Sequence, residues 1–240
     1  MDRVTLVTGA TKGIGLACAE ALAARGHRVV GLARQRGSAS FPGTVVVADA
    51  ADRAAFGATV AALAGEYAFT GLVNNVGMVV PQRLGAVDLD VYDRTFEINV
   101  TSALLAAQAV LPAMKAARFG RIVNIGSEVV LGLTERTAYA AAKAALASFT
   151  RTWALELAAD GITVNTVAPG PVDTDLFTLN NPPGSAVRQR KLERIPAGRI
   201  GVPQDIANAV GFFMAPETGF VTGQCLYVCG GSSLGSSSFL

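Results

Sequence analysis

Short β-branched segments, several of them continuously apolar, alternate along the chain with longer, alanine-rich segments of helical composition. A strand that is apolar at every position has no face for water, as in a parallel sheet covered by helices on both sides. The strand candidates are Val4–Thr8, Arg28–Ala33, Thr44–Ala48, Gly71–Asn74, Arg121–Ile125, Ile162–Val167 and Cys225–Val228. The helix candidates are Ile14–Arg25, Asp52–Tyr67, Val91–Ala117, Ala138–Ala159 and Pro203–Phe213. The alternation predicts an α/β fold, a doubly wound, seven-stranded parallel sheet in a single domain over residues 1–240.

The composition excludes several classes of protein. Of 240 residues, 51% are hydrophobic and 16% are charged, so the chain can bury enough apolar surface to fold and is not disordered. The longest apolar runs, such as Ala209–Ala215, are far shorter than the roughly 18 residues of a membrane span. A net charge of +2 gives no reason to expect nucleic acid as a partner. We therefore expect a cytoplasmic protein that binds neither nucleic acid nor membrane.

Cysteine and histidine are scarce. Cys18, Cys225 and Cys229 form neither a CxxC pair nor a Cys/His pattern, and His27 is the single histidine. An odd number of cysteines without such spacing argues against a disulfide framework and against a zinc site. We expect three small buried thiols in a reducing compartment, and no metal site.

A glycine-rich turn follows the first predicted strand directly. The segment Thr8–Gly15 reads TGATKGIG, and a predicted helix begins within it. Glycines let the backbone turn tightly and let a pyrophosphate approach the helix N-terminus, where free N–H groups and the helix dipole favour negative charge. An ordinary loop is the alternative, but the strand before and the helix after favour a phosphate-binding turn.

The spacing of this turn, with Thr8 ahead of it and Ile14 between the last two glycines, resembles the short-chain dehydrogenase/reductase family. The resemblance continues over nearly the whole chain and implies a Rossmann-type fold. It is similar to the single-domain branch that contains 3-oxoacyl carrier-protein reductase-like members. The matching segments are Asn74–Gly77, Glu97–Val100, Ser127, Tyr139–Lys143, Pro169–Thr174, Gly223–Gln224 and Gly230–Gly231. Cys229 stands where many members carry aspartate.

The resemblance implies a catalytic group made of Asn99, Ser127, Tyr139 and Lys143. Ser127 would hold the substrate oxygen, Tyr139 would transfer the proton, Lys143 would bind the nicotinamide ribose, and Asn99 would hold a relaying water. Tyr139 and Lys143 are four residues apart and share one helix face. An ammonium beside a phenol lowers the phenol's pKa from about 10, and a drop of about three units takes about 4 kcal/mol. Lys143 and the positive charge of the oxidised nicotinamide can supply this together, so we expect a lowered pKa at Tyr139.

The second predicted strand ends at Ala33 and is followed by Arg34, where proteins that prefer NAD usually carry an acid. Arg34 and Lys12 can pair with a 2′-phosphate, so we expect NADP(H) to be preferred over NAD(H). Two solvated surface cations are the alternative. The resemblance places Asp49 at the adenine. The full set of cofactor contacts that it implies is Gly9, Thr11, Lys12, Gly13, Ile14, Gly15, Arg34, Asp49, Ala50, Asn75, Val76, Gly77, Tyr139, Lys143, Pro169, Gly170, Val172 and Thr174.

In this family the segment after the Pro-Gly turn covers the substrate, so residues 175–201 are the expected lid. Its cations suggest a docking surface for a carrier protein or a coenzyme A thioester, and a solvated helix face is the alternative. Those cations are Arg188, Arg190, Lys191, Arg194 and Arg199. The expected pocket, which suggests a mostly apolar substrate, is lined by Gly77, Met78, Val79, Glu128 and Val129.

The leading hypothesis is an NADP(H)-dependent oxidoreductase that interconverts a ketone and a secondary alcohol, on a 3-oxoacyl thioester or another mostly apolar carbonyl substrate. An alcohol or sugar dehydrogenase that works oxidatively is an alternative. A catalytically silent nucleotide sensor or scaffold is a second alternative, from a different class. The two long predicted helices carry apolar alanine faces, from which we expect a homotetramer built as a dimer of dimers. Those alanines are Ala103, Ala106, Ala107, Ala144 and Ala147.

Overall fold

The structure, a computed structural model, describes residues 3–37 and 40–235. Its centre is a seven-stranded sheet in the order β3-β2-β1-β4-β5-β6-β7, in which every neighbouring pair is parallel. The strands are β1 (Arg3–Thr8), β2 (His27–Ala33), β3 (Gly43–Val47), β4 (Gly71–Asn74), β5 (Gly120–Ile125), β6 (Ile162–Pro169) and β7 (Cys225–Val228). The predicted sheet is therefore confirmed.

Helices cover both faces of this sheet. They are α1 (Gly13–Ala24), α2 (Arg53–Glu66), α3 (Leu89–Phe96), α4 (Ser102–Ala117), α5 (Thr137–Leu157), α6 (Asp175–Asn180), α7 (Ala186–Glu193) and α8 (Pro203–Phe213). One core packs α1 and α8 against the sheet, and a second core packs α2, α4 and the end of α5 against the opposite face. Two apolar faces explain why the central strands β4, β5 and β6 are buried at every position.

The predicted helix Val91–Ala117 is interrupted. Asp88 caps the start of α3, and a π-helical turn, Glu97–Thr101, separates α3 from α4. By length and hydropathy alone, the helical stretch Leu89–Ala117 could cross a membrane. In the fold, however, Ala106, Val110 and Met114 on α4 are fully buried in the core beneath the sheet. Its apolar character is that of a helix packed inside an α/β domain.

Two expectations about small apolar residues are wrong in part. Ala103, Ala106 and Ala107 of α4 are buried inside the subunit, so they cannot supply a face between subunits, whereas Ala144 of α5 is exposed and Ala147 is partly exposed. Cys18 is buried as expected, but Cys225 is exposed. The reason is its position on β7, which forms one edge of the sheet and has half of its residues exposed.

A buried chain of polar side chains ties α5 to the centre of the sheet. The Asn74 amide donates to Asn124 Oδ1 at 2.9 Å, and the Asn124 amide donates to Thr150 Oγ1 at 2.9 Å. Thr150 Oγ1 also lies 2.7 Å from Thr166 Oγ1 on β6. Because α5 carries Tyr139 and the strands end at the same edge, these bonds fix the height of that helix relative to the strand ends.

Candidate active site

The glycine-rich turn after β1 is held by the segment that directly follows β4. The Asn75 amide donates to the carbonyls of Thr8 and Gly9 at 3.0 and 3.1 Å, and Thr8 Oγ1 accepts from the backbone of Asn75 and Val76. Gly9 has a φ of +64°, and a Cβ on Gly15 would lie 2.1 Å from the Gly9 carbonyl oxygen. The turn therefore requires glycine at both positions. The structural role of Asn75 was not predicted.

A cavity of about 570 Å³ runs from this turn to the ends of β5 and β6, at the edge where the strand order reverses between β1 and β4. Most residues of the expected cofactor set line it: Gly9, Thr11, Lys12, Gly13, Ile14, Arg34, Asn75, Val76, Gly77, Tyr139, Lys143, Pro169, Gly170, Val172 and Thr174. Asp49, Ala50 and Gly15 do not line it. Asp49 caps its own loop by accepting from the Ala51 N–H, Ala50 is buried, and Gly15 packs beneath the turn.

The residues at this end of the cavity fit a dinucleotide. Lys12 precedes α1 and gives that helix no side-chain cap, so the first N–H groups of the helix remain open to a phosphate. A Cβ on Gly13 would lie 3.3 Å from Thr174 Cγ2, so glycine keeps a passage open beside the first helical turn. Arg34 is exposed at the cavity wall and Lys12 is largely exposed beside it, which places two cations within reach of an anionic group.

Lys143 is a buried cation at the opposite end of the cavity. Its side chain is 3% exposed, and Nζ donates to the Ile125 carbonyl at the end of β5, at 2.8 Å. Burial lowers the Lys143 pKa to about 8, because an ammonium loses hydration in the protein interior. Its Nζ lies 5.7 Å from the centre of the Tyr139 ring.

The expected lowering of the Tyr139 pKa depends on the positive charge of the oxidised nicotinamide as well as on Lys143, and it stays a prediction for the cofactor-bound enzyme. Burial raises the pKa of Tyr139 to about 12, while a hydrogen bond with Ser127 and the positive charge of Arg136 act in the opposite direction. The Lys143 ammonium donates to Ile125 and does not offset the lost hydration of the phenolate. Sequence spacing could show that Tyr139 and Lys143 share a helix face, but it could not show how deeply both are buried.

Asn99 lies in the π-helical turn, and its amide donates to the carbonyls of Met78 and Thr95 at 3.0 and 2.8 Å. Its Oδ1 is buried and accepts no hydrogen bond from the residues that the structure describes. A Cβ on Gly77 would lie 3.0 Å from Asn99 Oδ1 and 3.6 Å from Lys143 Nζ, so glycine leaves open space beside both atoms. A buried unpaired carbonyl oxygen suits a bound water.

The expected lid contains two short helices, α6 and α7, which sequence patterning did not show. Arg188 pairs with Asp173 at 2.7 Å, and the Arg188 guanidinium lies 5.3 Å from the centre of the Phe177 ring. The Lys191 ammonium lies 5.8 Å from the same ring and lines the cavity, whereas Arg190 is exposed. A uniformly solvated helix face therefore does not describe this segment.

The substrate end of the cavity agrees in part with the expected pocket. Gly77, Val79, Glu128 and Val129 line it, whereas Met78 contributes its carbonyl to Asn99. Sequence reasoning missed four further wall residues, Leu133, Arg136, Leu176 and Phe177. No motif marks them, because they belong to loops and to the lid, whose positions depend on tertiary packing.

Comparisons with known proteins agree with this geometry. A family model described as enoyl-(acyl carrier protein) reductase matches residues 9–233. The 3-oxoacyl-(acyl-carrier-protein) reductase FabG of Vibrio cholerae is 38% identical over 238 residues, which cover 95% of this chain and 96% of that protein. The protein of the same name from Escherichia coli K12 is 37% identical over 239 residues, with the same coverage.

Solved structures agree as well. A proposed NAD(P)-dependent gluconate 5-dehydrogenase from Beutenbergia cavernae, with NADP bound at low occupancy, superimposes with a TM-score of 0.90 at 33% identity and covers 96% of each chain. The aldohexose dehydrogenase of Thermoplasma acidophilum gives a TM-score of 0.88 at 30% identity and covers 98% of this chain and 96% of that one.

The fold and the site thus define a nicotinamide-dependent oxidoreductase. The chain belongs to the short-chain dehydrogenase/reductase family and is an enzyme that interconverts a ketone and a secondary alcohol.

Proposed function

We propose that this enzyme reduces its ketone with NADPH, with Ser127 and Tyr139 holding the carbonyl oxygen. The observation that carries the proposal is the common cavity. Ser127, Tyr139 and Lys143 line one end of it, and the glycine-rich turn with Lys12 lines the other. A dinucleotide whose phosphates lie at the turn places its nicotinamide at the catalytic end.

The reaction adds a hydride to the carbonyl carbon and a proton to the carbonyl oxygen. NADPH, when bound, supplies the hydride. The Ser127 hydroxyl donates a hydrogen bond to the substrate oxygen, and Tyr139 gives up its proton to that oxygen as negative charge develops there. Lys143 stabilises the resulting phenolate through its positive charge. Asn99 Oδ1 holds the water through which Lys143 and Tyr139 recover a proton.

Replacing Tyr139 with Phe tests the acid. Removing a general acid costs about 10²–10⁴ in rate, so kcat/KM for ketone reduction falls by about a thousandfold in Tyr139→Phe. Binding of NADPH, followed by its fluorescence, changes little because the ring is kept. The matched control is Tyr92→Phe on α3, outside the cavity, which keeps full activity. Near wild-type turnover by Tyr139→Phe would contradict the assignment.

The preference for NADPH rests on charge at the adenosine end. Arg34 follows β2 directly and lines the cavity, and Lys12 lies in the turn beside it. Lys12 Nζ is 3.9 Å from Asp175, but both side chains are largely exposed and the pair is weak. A 2′-phosphate between Arg34 and Lys12 gains charge-assisted hydrogen bonds that a 2′-hydroxyl cannot make.

The variant Arg34→Ser tests this preference. We expect kcat/KM with NADPH to fall by about tenfold or more, since a hydrogen bond to a charged group contributes roughly 1.5–3 kcal/mol. The value with NADH stays within about twofold, because NADH has no phosphate there. Arg36→Ser, an exposed neighbour outside the cavity, is the control and leaves both values unchanged. A wild-type enzyme that works better with NADH, or an equal loss with both cofactors, would refute the proposal.

The names of the relatives suggest two classes of substrate. The FabG proteins are named for 3-oxoacyl carrier-protein substrates, and the solved structures are named for sugars and sugar acids. A panel of acetoacetyl thioesters, cyclic ketones, aryl ketones and sugars separates reduction of thioesters from oxidation of sugars. All four members of the expected catalytic group are present, which argues against a silent sensor or scaffold.

We also propose a cytoplasmic homo-oligomer, a tetramer assembled as a dimer of dimers. Large apolar side chains are exposed on the surface of the subunit: Leu155 on α5 is 85% exposed, and Phe220 is fully exposed. The edge strand β7 leaves Cys225 and Leu226 exposed, and an open sheet edge offers backbone groups with which another chain can pair. An exposed free thiol at Cys225 fits a reducing compartment.

Light scattering at micromolar concentration tests the assembly. We expect four times the mass of the 24.6 kDa chain. Leu155→Arg places a charge on the exposed face of α5 and reduces the mass to that of a smaller species. The control Glu156→Arg also adds a cation to α5, but it removes no apolar side chain. A monomeric mass for the unaltered protein would overturn the proposal.

A further inference from the structure

Two cations stand beside the proposed catalytic pair without a carboxylate partner. Arg136 immediately precedes α5, three residues before Tyr139, and Lys191 lies on α7 of the lid. Both line the cavity that Ser127 and Tyr139 line. Within the described part of the chain neither makes an ion pair, and the Arg136 guanidinium donates to the Glu135 carbonyl at 3.0 Å.

These cations are close to one another and to the reacting group. The positive charge of Arg136 lowers the pKa of Tyr139 and also lowers the pKa of Lys191. Burial is the larger cause of the lowered pKa of Lys191, and the positive charge of Arg194 lowers that pKa further. A half-buried ammonium beside a guanidinium is unfavourable unless a negative group compensates for them. Cations on a solvated helix face would relieve this repulsion by pointing into water.

The acidic residue that acts on Lys191 has a hydrogen-bond partner of its own. Glu128 raises the pKa of Lys191, yet its carboxylate accepts a hydrogen bond from Ser232 near the C-terminal end of the described chain. The single carboxylate of Glu128 faces three cations, Arg136, Lys191 and Arg194. This end of the cavity therefore carries excess positive charge. Lys12 and Arg34 cannot share this role, because they lie at the other end of the cavity, Lys12 in the glycine-rich turn and Arg34 after β2.

A second cavity, of about 230 Å³, continues from this point. It shares Glu128, Val129, Leu133, Pro171 and Lys191 with the larger cavity, and Arg194 lines its far side. Val129 and Leu133 provide an apolar wall between the catalytic end and the cations. A short carbon chain that reaches from Tyr139 along this wall therefore meets a positive group within a few bonds.

We propose that Arg136 and Lys191 bind a carboxylate of the substrate, so that the enzyme acts on small oxo acids whose ketone and carboxylate are a few carbons apart. This inference rests on the proposed function, because Ser127 and Tyr139 must hold the ketone oxygen. It replaces the expectation of a mostly apolar substrate with one that is apolar in the middle and anionic at one end.

Matched acids and esters test the proposal. The panel is 4-oxopentanoate, 5-oxohexanoate and 6-oxoheptanoate, each compared with its methyl ester, with NADPH consumption as the measure. For the best chain length we expect kcat/KM of the acid to exceed that of the ester by about tenfold or more, as one charge-assisted hydrogen bond allows. Equal values for acid and ester at every length would overturn the proposal.

The ratio of kcat/KM for the acid to kcat/KM for the ester separates recognition of the carboxylate from catalysis. Lys191→Gln and Arg136→Gln each lower this ratio by about tenfold. Any effect of Arg136 on the acidity of Tyr139 changes kcat/KM equally for acid and ester, so it cancels in the ratio. Lys191→Arg keeps the charge and retains the ratio. Arg190→Gln, exposed on the same helix, is the control and leaves it unchanged. An unchanged ratio in Lys191→Gln and Arg136→Gln would contradict the assignment of these residues.

A binding measurement keeps this inference distinct from the proposed function. Pentanoate, hexanoate and heptanoate have no ketone, and calorimetry with NADP+ saturating keeps Lys12 and Arg34 occupied. We expect the carboxylate of best length to bind about tenfold more tightly than its methyl ester, and Lys191→Gln to abolish the difference. This result would stand even if Tyr139→Phe proved active, which would refute the catalytic assignment alone. Equal binding of acid and ester would refute the anion site alone.

Discussion

The hydrogen bond from the Lys143 ammonium to the Ile125 carbonyl is the contact on which the catalytic end depends. It joins α5 to the carboxyl end of β5 and holds a cation where water has little access. Burial of a charge opposes folding, and the lowered pKa of Lys143 measures that opposition. The cost is offset by the packed helices and strands around the site. The same burial strengthens the electrostatic effect of the ammonium on neighbouring groups, because little solvent screens its charge.

The parallel sheet explains why one edge collects the functional groups. Each strand enters from the same side, so the loops after β1, β4, β5 and β6 all lie at the carboxyl edge. The reversal of strand order between β1 and β4 opens a crevice there. The Asn75 amide spans that crevice to the carbonyls of Thr8 and Gly9, and so links the phosphate-binding turn to the segment beside Asn99. The phosphate-binding end and the catalytic end of the cavity therefore lie on one connected edge of the sheet.

Sequence patterns were informative where structure depends on local spacing. Short β-branched runs, several of them continuously apolar, predicted all seven strands, and the turn at Thr8–Gly15 predicted the start of α1. Sequence patterns failed where tertiary packing determines the local structure. The π-helical turn around Asn99, the lid helices and the burial of Ala103 depend on neighbours distant in the chain. Arg136 was missed, and the meeting of Arg136 with Lys191 at one cavity was not predicted, because only the fold brings α7 to the start of α5.

The central claim is that the buried charge of Lys143 acts together with the positive charge of the bound oxidised cofactor to make the Tyr139 proton exchangeable. Ultraviolet titration of the wild type, with Tyr139→Phe subtracted, measures the pKa of this phenol in the protein alone and with NADP+ saturating. We predict a pKa near 12 in the protein alone, because burial disfavours the phenolate. With NADP+ the pKa falls by about two units or more, and the fall is smaller in Lys143→Met. The same pKa with and without NADP+, or an equal fall in Lys143→Met, would contradict the account.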